Sequence, residues 1–229
     1  MDNELVLQVN NLTVELDHQT ILDRLTFSVK QGDIVSILGP NGAGKTVLLK
    51  CLLGLLPYHG EIIWRKGIKL GYVPQRLPFI KDIPLSVREF FALKQVSDQV
   101  IERILSDVGL DYHFLEHKMS DLSSGQFQRL LIAWSLVGKP DVLLFDEPTT
   151  GIDIGGEETI YTLLDNLKND WFLAMLLVTH DLNVVYQFSN HVICLNKKTT
   201  CIGPPNEVLT PESLQKLYGG GIKYYTHRH

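Results

Sequence analysis

The sequence predicts an α/β fold with a mixed sheet, on three observations. The nearly continuous apolar run Ile34–Leu38 leads through a glycine-rich turn into helix-forming sequence, as expected of a strand covered on both faces and followed by a helix. A second apolar run, Val142–Phe145, ends in two acids. Between them, roughly residues 85–139 read as helical, an insertion in an otherwise α/β chain.

Taken in order, Leu5, Leu7 and Val9 are spaced as in a half-buried strand, and Leu25, Phe27 and Val29 alternate with Thr26 and Ser28 in the same way. A helix is expected from Lys45 to about Leu56, with shorter strands at Glu61–Trp64 and Lys69–Val73. Pro74, Pro78 and Pro84 then break the pattern. Ser86 and Glu89 stand at capping-box spacing and open a helix through about Leu93. Further helices are expected across Gln99–Val108 and Gln126–Val137.

After the strand Val142–Phe145 come a helix at Glu157–Leu167, a strand at Leu173–Thr179 and a helix at Leu182–Phe188. Val192–Leu195 and Thr200–Ile202 read as a hairpin. Thr210 before Pro211 resembles an N-cap with proline at the first helical position, giving a helix to Tyr218. The tail after Gly219 is expected to be flexible. No fixed-period repeat is evident.

Composition narrows the class. A length of 229 residues suits one domain with a modest insertion, and 45% apolar with 21% charged residues excludes disorder, collagen and simple coiled coils. The formal charge of −5 lacks the basic footprint of a nucleic-acid binder, so no nucleic-acid partner is expected. Three widely spaced cysteines make no disulfide framework; Cys51, Cys194 and Cys201 read as small buried apolar residues of a chain in a reducing compartment. The longest apolar runs, such as Trp171–Val178, fall short of the roughly 18–20 residues a membrane span needs. The acidic start MDNELVLQVN is not a secretory signal.

Gly39-Pro40-Asn41-Gly42-Ala43-Gly44-Lys45-Thr46 matches G-x-x-x-x-G-K-[ST] between an expected strand and an expected helix. Glycines there let consecutive N–H groups curl toward phosphate oxygens, and the helix start that continues into Val47 adds its positive dipole end. Lys45 supplies a point charge to β- and γ-phosphates, and the Thr46 hydroxyl suits Mg²⁺. The bland alternative is a glycine-rich turn with a chance lysine.

The second apolar run delivers Asp146 to a strand end, where it would hold Mg²⁺, usually through water. Glu147 faces the other way and is free to polarise an attacking water. A solvated acidic turn before Pro148 is the alternative. Leu122-Ser123-Ser124-Gly125-Gln126 has a capping box at Ser123 and Gln126, so it can simply begin a helix. As a second phosphate-friendly helix start it can also face the nucleotide of another copy.

The ordered set of the phosphate loop, Gln75 in GYVPQ, LSSGQ, LLFDEP, Asp153 and His180 resembles the ATP-binding subunits of ABC transporters along nearly the whole chain. Within that family the stretches GYVPQ with IPLSV, VTHDL and ICLNKKTTCIGPP look most like the ATPases of zinc or manganese importers. The resemblance implies a RecA-like P-loop core with a small antiparallel β part and an inserted helical subdomain at 85–139. The whole of 1–229 would form one ATP-binding domain, with the C-terminal helix and tail at 211–229.

It further implies ATP and Mg²⁺ as ligands and ATP hydrolysis as the activity. Gln75 would sense Mg²⁺ and the attacking water while its loop touches the permease. Ser123, Ser124, Gly125 and Gln126 would cap the γ-phosphate held by another copy's Lys45. Asp153 would lie in a loop communicating between the two sites, and His180 would contact the γ-phosphate. As a lone histidine, His180 also reads as a helix-entry residue ahead of Asp181.

The implied partners are a second copy in the ATP-bound state, integral membrane permease subunits and, indirectly, an extracytoplasmic metal-binding protein. The implied location is the cytoplasmic face of the membrane.

The sequence departs from the family pattern in places. Ser124 stands where many relatives have glycine, the loop at 149–153 reads TTGID, and Leu16, near His18, occupies the position of an adenine-stacking aromatic. Leu77, Phe79, Ile80, Ile83 and Leu85 suit either a docking surface for a permease helix or a fold-back onto the core. His227 and His229 are either exposed or chelating. The rivals are an importer ATPase for another substrate, a non-transport ABC ATPase and a signalling GTPase. The span from Thr46 to Leu122 is too short for the long insertion of non-transport relatives, and Asn196-Lys-Lys-Thr199 lacks the acid of N-K-x-D.

Overall fold

Leu5–Leu16 (β1) and Gln19–Lys30 (β2) form one long antiparallel hairpin. Leu7, Val9, Leu12 and Val14 lie opposite Val29, Phe27, Leu25 and Leu22, and all eight are buried, so the apolar side chains of the two strands pack side by side as cross-strand pairs. Asp17 and His18 close the turn with φ of 49° and 61°; positive φ at both central residues matches the right-handed twist of the strands they join. The computed structural model describes residues 4–75, 84–149, 152 and 154–219, and the chain divides into two units, Met1–Lys66 with Leu176–His229, and Gly67–Met175.

In the first unit, β1 also pairs with His59–Trp64 (β4), giving a three-stranded sheet in the order β2-β1-β4. Ile34–Leu38 (β3) is buried at every position, as its unbroken apolar run requires. Its one polar residue, Ser36, is satisfied by the Ser189 hydroxyl at 2.6 Å. β3 pairs in parallel with His191–Asn196 (β8), which pairs antiparallel with Lys198–Gly203 (β9).

Lys45–Leu52 (α1) follows β3 and stops before the expected Leu56. Gly54, at φ 71°, donates to Cys51 at 2.9 Å while Leu55 donates to Lys50 at 2.8 Å. This pair of bonds ends a helix by turning one residue left-handed, which glycine does without cost.

Ala174–Thr179 (β7) is buried throughout. Leu182–Phe188 (α6), Pro205–Val208 (α7) and Pro211–Tyr218 (α8) follow. Leu38, Val185, Val192, Cys194, Leu209, Leu214 and Leu217 form a core cluster beneath these helices. The Thr210 cap and Pro211 fall as expected, with a capping box to Ser213; α7 has too few residues to show a helical period and was not expected.

The cysteine reading needs correction. Cys194 and Cys201 are joined as a disulfide because β8 and β9 place them directly opposite each other. The expectation of three unpaired buried residues holds only for Cys51.

In the second unit, Leu70–Val73 (β5) pairs in parallel with Val142–Asp146 (β6). A Cβ at Gly71 would strike the Leu143 side chain. Val87–Ala92 (α2) is followed by Asp98–Asp107 (α3), and two short 3-10 turns at Tyr112–Glu116 and Met119–Asp121 lead from α3 to Ser124–Leu136 (α4). Arg88 on α2 reaches Asp98 at 2.8 Å and Glu116 at 2.6 Å, linking three of these pieces. Phe90 stacks on Trp134 with ring centroids 4.0 Å apart, so α2 packs on α4. Ile154–Trp171 (α5) is longer at both ends than the expected Glu157–Leu167. Among the described residues no helix is long and apolar enough to cross a membrane.

Candidate nucleotide site

The phosphate-loop sequence folds in the first unit as its composition dictates. β3 ends at Leu38, the chain turns, and α1 begins at Lys45. Gly42 and Gly44 adopt φ of 78° and 97°, values at which an L side chain would be strained. Gly39 is fixed for a different reason: a Cβ there would collide with the Leu195 carbonyl.

Lys45 is only 6% exposed, and its Nζ donates to the carbonyls of Gly39 at 2.7 Å and Pro40 at 3.1 Å. The ammonium thus lies over the loop, while Asn41 and Gly42 at its tip are exposed and Thr46 and Val47 are half-buried. Left-handed glycines, an ammonium over the turn and the open end of α1 make a donor set that fits a polyphosphate.

Main-chain bonds also clasp the loop from outside. Lys197, in the β8–β9 turn at φ 64°, donates its N–H to the Ala43 carbonyl at 3.2 Å, and its carbonyl accepts from the Asp23 N–H at 2.8 Å. The sequence held no signal for this contact, because main-chain bonds between distant segments place no demand on side-chain identity.

In the second unit, β6 carries Asp146 as its last residue, 3% exposed. Burial, then the Asp146 charge, pushes the Tyr72 phenol up to about 12, so Tyr72 stays protonated beside that carboxylate. Glu147 follows at φ 48°, an uncommon conformation for a non-glycine residue. The Gln75 amide donates to Glu147 Oε2 at 2.9 Å. The unit therefore brings Gln75 and Glu147 into direct contact, joining the ends of β5 and β6. A metal would find hard oxygen donors at Asp146 and Glu147, which suits Mg²⁺ chemically.

The signature segment is a helix start, as its spacing predicts. Ser123 Oγ accepts from the Gln126 N–H at 3.2 Å, and the Gln126 side chain accepts from the Ser123 N–H at 2.9 Å. Leu122 is buried, Ser123 and Ser124 are exposed, and a Cβ on Gly125 would meet nothing within 4 Å. Arg129, one turn on, anchors α4 to the Val108 carbonyl at 2.7 Å.

His180 is exposed at the end of β7. The helix-entry role falls to its neighbour, since Asp181 caps α6 by accepting from the Asn183 N–H at 2.8 Å. Leu16 ends β1 half-buried, opposite Gln19. Asp153, the proline-flanked residues Leu77, Phe79, Ile80 and Ile83, and the tail histidines His227 and His229 lie outside the described residues. Lys45 and His180 belong to the first unit; Gln75, Asp146, Glu147 and the signature belong to the second.

The family model described as ABC transporter matches residues 22–150. The chain is 36% identical to the zinc import ATP-binding protein ZnuC of Buchnera aphidicola subsp. Baizongia pistaciae, over 97% of this chain and 96% of that one. It is 37% identical to the protein of the same name from Acinetobacter baylyi, over 98% and 86%. Among solved structures, an inward-facing putative metal-chelate type ABC transporter superposes with a TM-score of 0.83 at 27% identity, covering 93% of this chain and 89% of that one. With a phosphate loop on β3–α1, an acidic pair at the end of β6 and a capped signature helix on its own residues, the chain belongs to the ABC transporter family and is an ATPase.

Proposed function

We propose that this chain is the ATP-hydrolysing subunit of an importer for a divalent transition metal, zinc in the first instance, acting on a separate membrane permease from the cytoplasmic face. The observation that carries the reading is similarity along nearly the whole chain to proteins named for zinc import, from several bacteria. The metal is cargo for the permease and an extracytoplasmic binding protein, and need never touch this subunit.

Each residue group has a distinct task. Lys45 and the N–H groups from Gly39 to Thr46 hold the triphosphate, with Val47 continuing the helix start behind them. Thr46 and Asp146, with Gln75, would hold Mg²⁺, which when bound neutralises charge on the β- and γ-phosphates. Glu147 accepts a proton from the attacking water, and His180 hydrogen-bonds the γ-phosphate end. Leu16 offers the base an aliphatic contact in place of a ring.

Two copies share the work. Ser123, Ser124, Gly125 and Gln126 of one copy face the nucleotide held by the other copy's Lys45, and Asp153 would serve communication between the two sites. These groups tie the copies together only while a γ-phosphate lies between them. Swinging a closed–open equilibrium from 1:99 to 99:1 takes about 5.5 kcal/mol of differential binding, which two sites rich in charged hydrogen bonds can supply. Closing and opening then move the permease between its inward and outward states.

Metal uptake in cells lacking this chain tests the reading. Zinc accumulation is expected to fall, and to return with the intact chain but not with Lys45→Ala. Unchanged zinc with a loss of manganese or iron would reassign the cargo, and no change in any metal would remove the importer role.

A further inference from the structure

We infer that Cys194 and Cys201 form a reversible thiol–disulfide modification site through which small-molecule thiols and disulfides tune nucleotide affinity. The inference rests on the reading of Gly39–Thr46 as the nucleotide cradle and adds a means of regulating it.

The pair is built to open and close in place. Cys194 on β8 and Cys201 on β9 are register partners with Cα atoms 4.9 Å apart, inside the range of about 4.4–6.8 Å that disulfides occupy. The bond can therefore break and re-form without the strands separating. Access is one-sided. Cys194 is fully buried in the cluster beneath α6–α8, whereas Cys201 is half-buried at its margin, so an incoming thiolate meets Cys201 first. Cys51 takes no part: burial pushes its thiol up to about 11, which leaves it protonated and unreactive.

The same hairpin clasps the phosphate loop. Leu195, next to Cys194, is the residue whose carbonyl abuts Gly39, and Lys197 bonds Ala43 and Asp23. A register irregularity lies between Cys194 and Leu195, and beyond it only the pairs Leu195–Thr199 and Asn196–Lys198 hold the hairpin end. The disulfide is thus a covalent staple at the base of a short, irregular tip, and that tip supplies every contact just named. With the staple in place, the tip has fewer conformations to lose on holding the loop. With it open, the tip frays more readily and the loop is less preorganised.

The chemistry balances with thiols as the two-electron reductant. A thiolate attacks Cys201 Sγ, breaking the Sγ–Sγ bond and leaving Cys194 as a thiolate that takes up a proton. A second thiol attacks the mixed disulfide, releasing Cys201 as a thiol and a small-molecule disulfide. Oxidation runs the same steps backward, with a small-molecule disulfide accepting the two electrons.

The test uses the full chain equilibrated with dithiothreitol or with oxidised glutathione, then denatured and alkylated. One modified cysteine is expected after oxidation and three after reduction, from the chain's total of three. ATP affinity, read by equilibrium binding, is expected to be about fivefold weaker in the reduced state, the scale of one net main-chain hydrogen bond. Cys201→Ala and Cys201→Ser should bind ATP at the weaker level in both conditions, and Cys51→Ala should respond as the parent does. Three modified cysteines in both conditions, or equal affinity in the two states, would overturn the inference. The Lys45→Ala variant separates the two readings: if it binds ATP as the parent does, the nucleotide cradle is misassigned whatever the thiols do.

Discussion

Gln75 donates its side-chain amide to the Glu147 carboxylate at 2.9 Å, so the proposed water-polarising group is held by the residue whose loop is proposed to meet the permease. Glu147 also sits at φ 48°, and such backbone conformations persist where surrounding contacts fix them. A movement of the Gln75 loop would therefore be felt directly at the carboxylate.

Glu147→Gln removes the proposed proton acceptor while keeping size and hydrogen bonding. Turnover is expected to fall by about a hundredfold or more, the usual contribution of a general base, with ATP binding retained. Phosphate release checks the first part. Gel filtration with ATP should show a dimer, and a profile of monomer alone would mean that the base role or the two-copy arrangement is wrong.

Lys45→Ala withdraws the ammonium that now lies over Gly39 and Pro40. A hydrogen bond involving a charged group contributes about 1.5–3 kcal/mol, so ATP binding should weaken by at least tenfold and turnover should vanish. Isothermal titration with a phosphate-release assay reads both; undiminished hydrolysis would refute the cradle.

Ser123 and Gly125 separate a structural from a functional role in the signature. Ser123→Ala loses the cap of α4 and should cost about 0.5–2 kcal/mol of stability, visible as a lower Tm. Gly125→Ala places its methyl in open space within the chain and replaces a poor helix former, so Tm should hold or rise slightly. If this helix start faces a nucleotide on a second copy, the same variant should lose turnover about tenfold or more, a barrier change of at least 1.4 kcal/mol. Unchanged turnover would place the signature away from any such contact.

In the proposed site, Leu16 stands where an aromatic ring would stack on the base. Leu16 is half-buried at the end of β1, so part of its side chain faces solvent. Leu16→Tyr is expected to tighten ATP binding by about twofold to tenfold, the worth of an aromatic pair at ~0.5–1.5 kcal/mol. Equal affinities for the two chains would mean that the base lies elsewhere.

What could be read from residues alone was set by short-range chemistry. Ser86 with Glu89, Ser123 with Gln126 and Thr210 before Pro211 each satisfy helix-end donors within one turn, and all three helices start where those residues stand. The phosphate loop is legible for the same reason, since its glycines and lysine act within eight positions.

Longer reach was lost. β1 and β2 were readable only in pieces, because register irregularities between Val9 and Val14 break the alternation that marks a strand. The Cys194–Cys201 bond depends on which β9 residue falls opposite which β8 residue, and spacing in the chain does not fix that. The Gln75–Glu147 contact joins residues 72 positions apart through the pairing of β5 with β6.

The clasp on the phosphate loop consists of peptide groups from Asp23, Ala43 and Lys197, and that has an evolutionary consequence. Position 197 can drift among lysine, asparagine and glycine without loosening its grip, since any of them can hold left-handed geometry and only proline would take the N–H away. Homologues can thus share this joint while differing at position 197, and a search for invariant residues would pass over it.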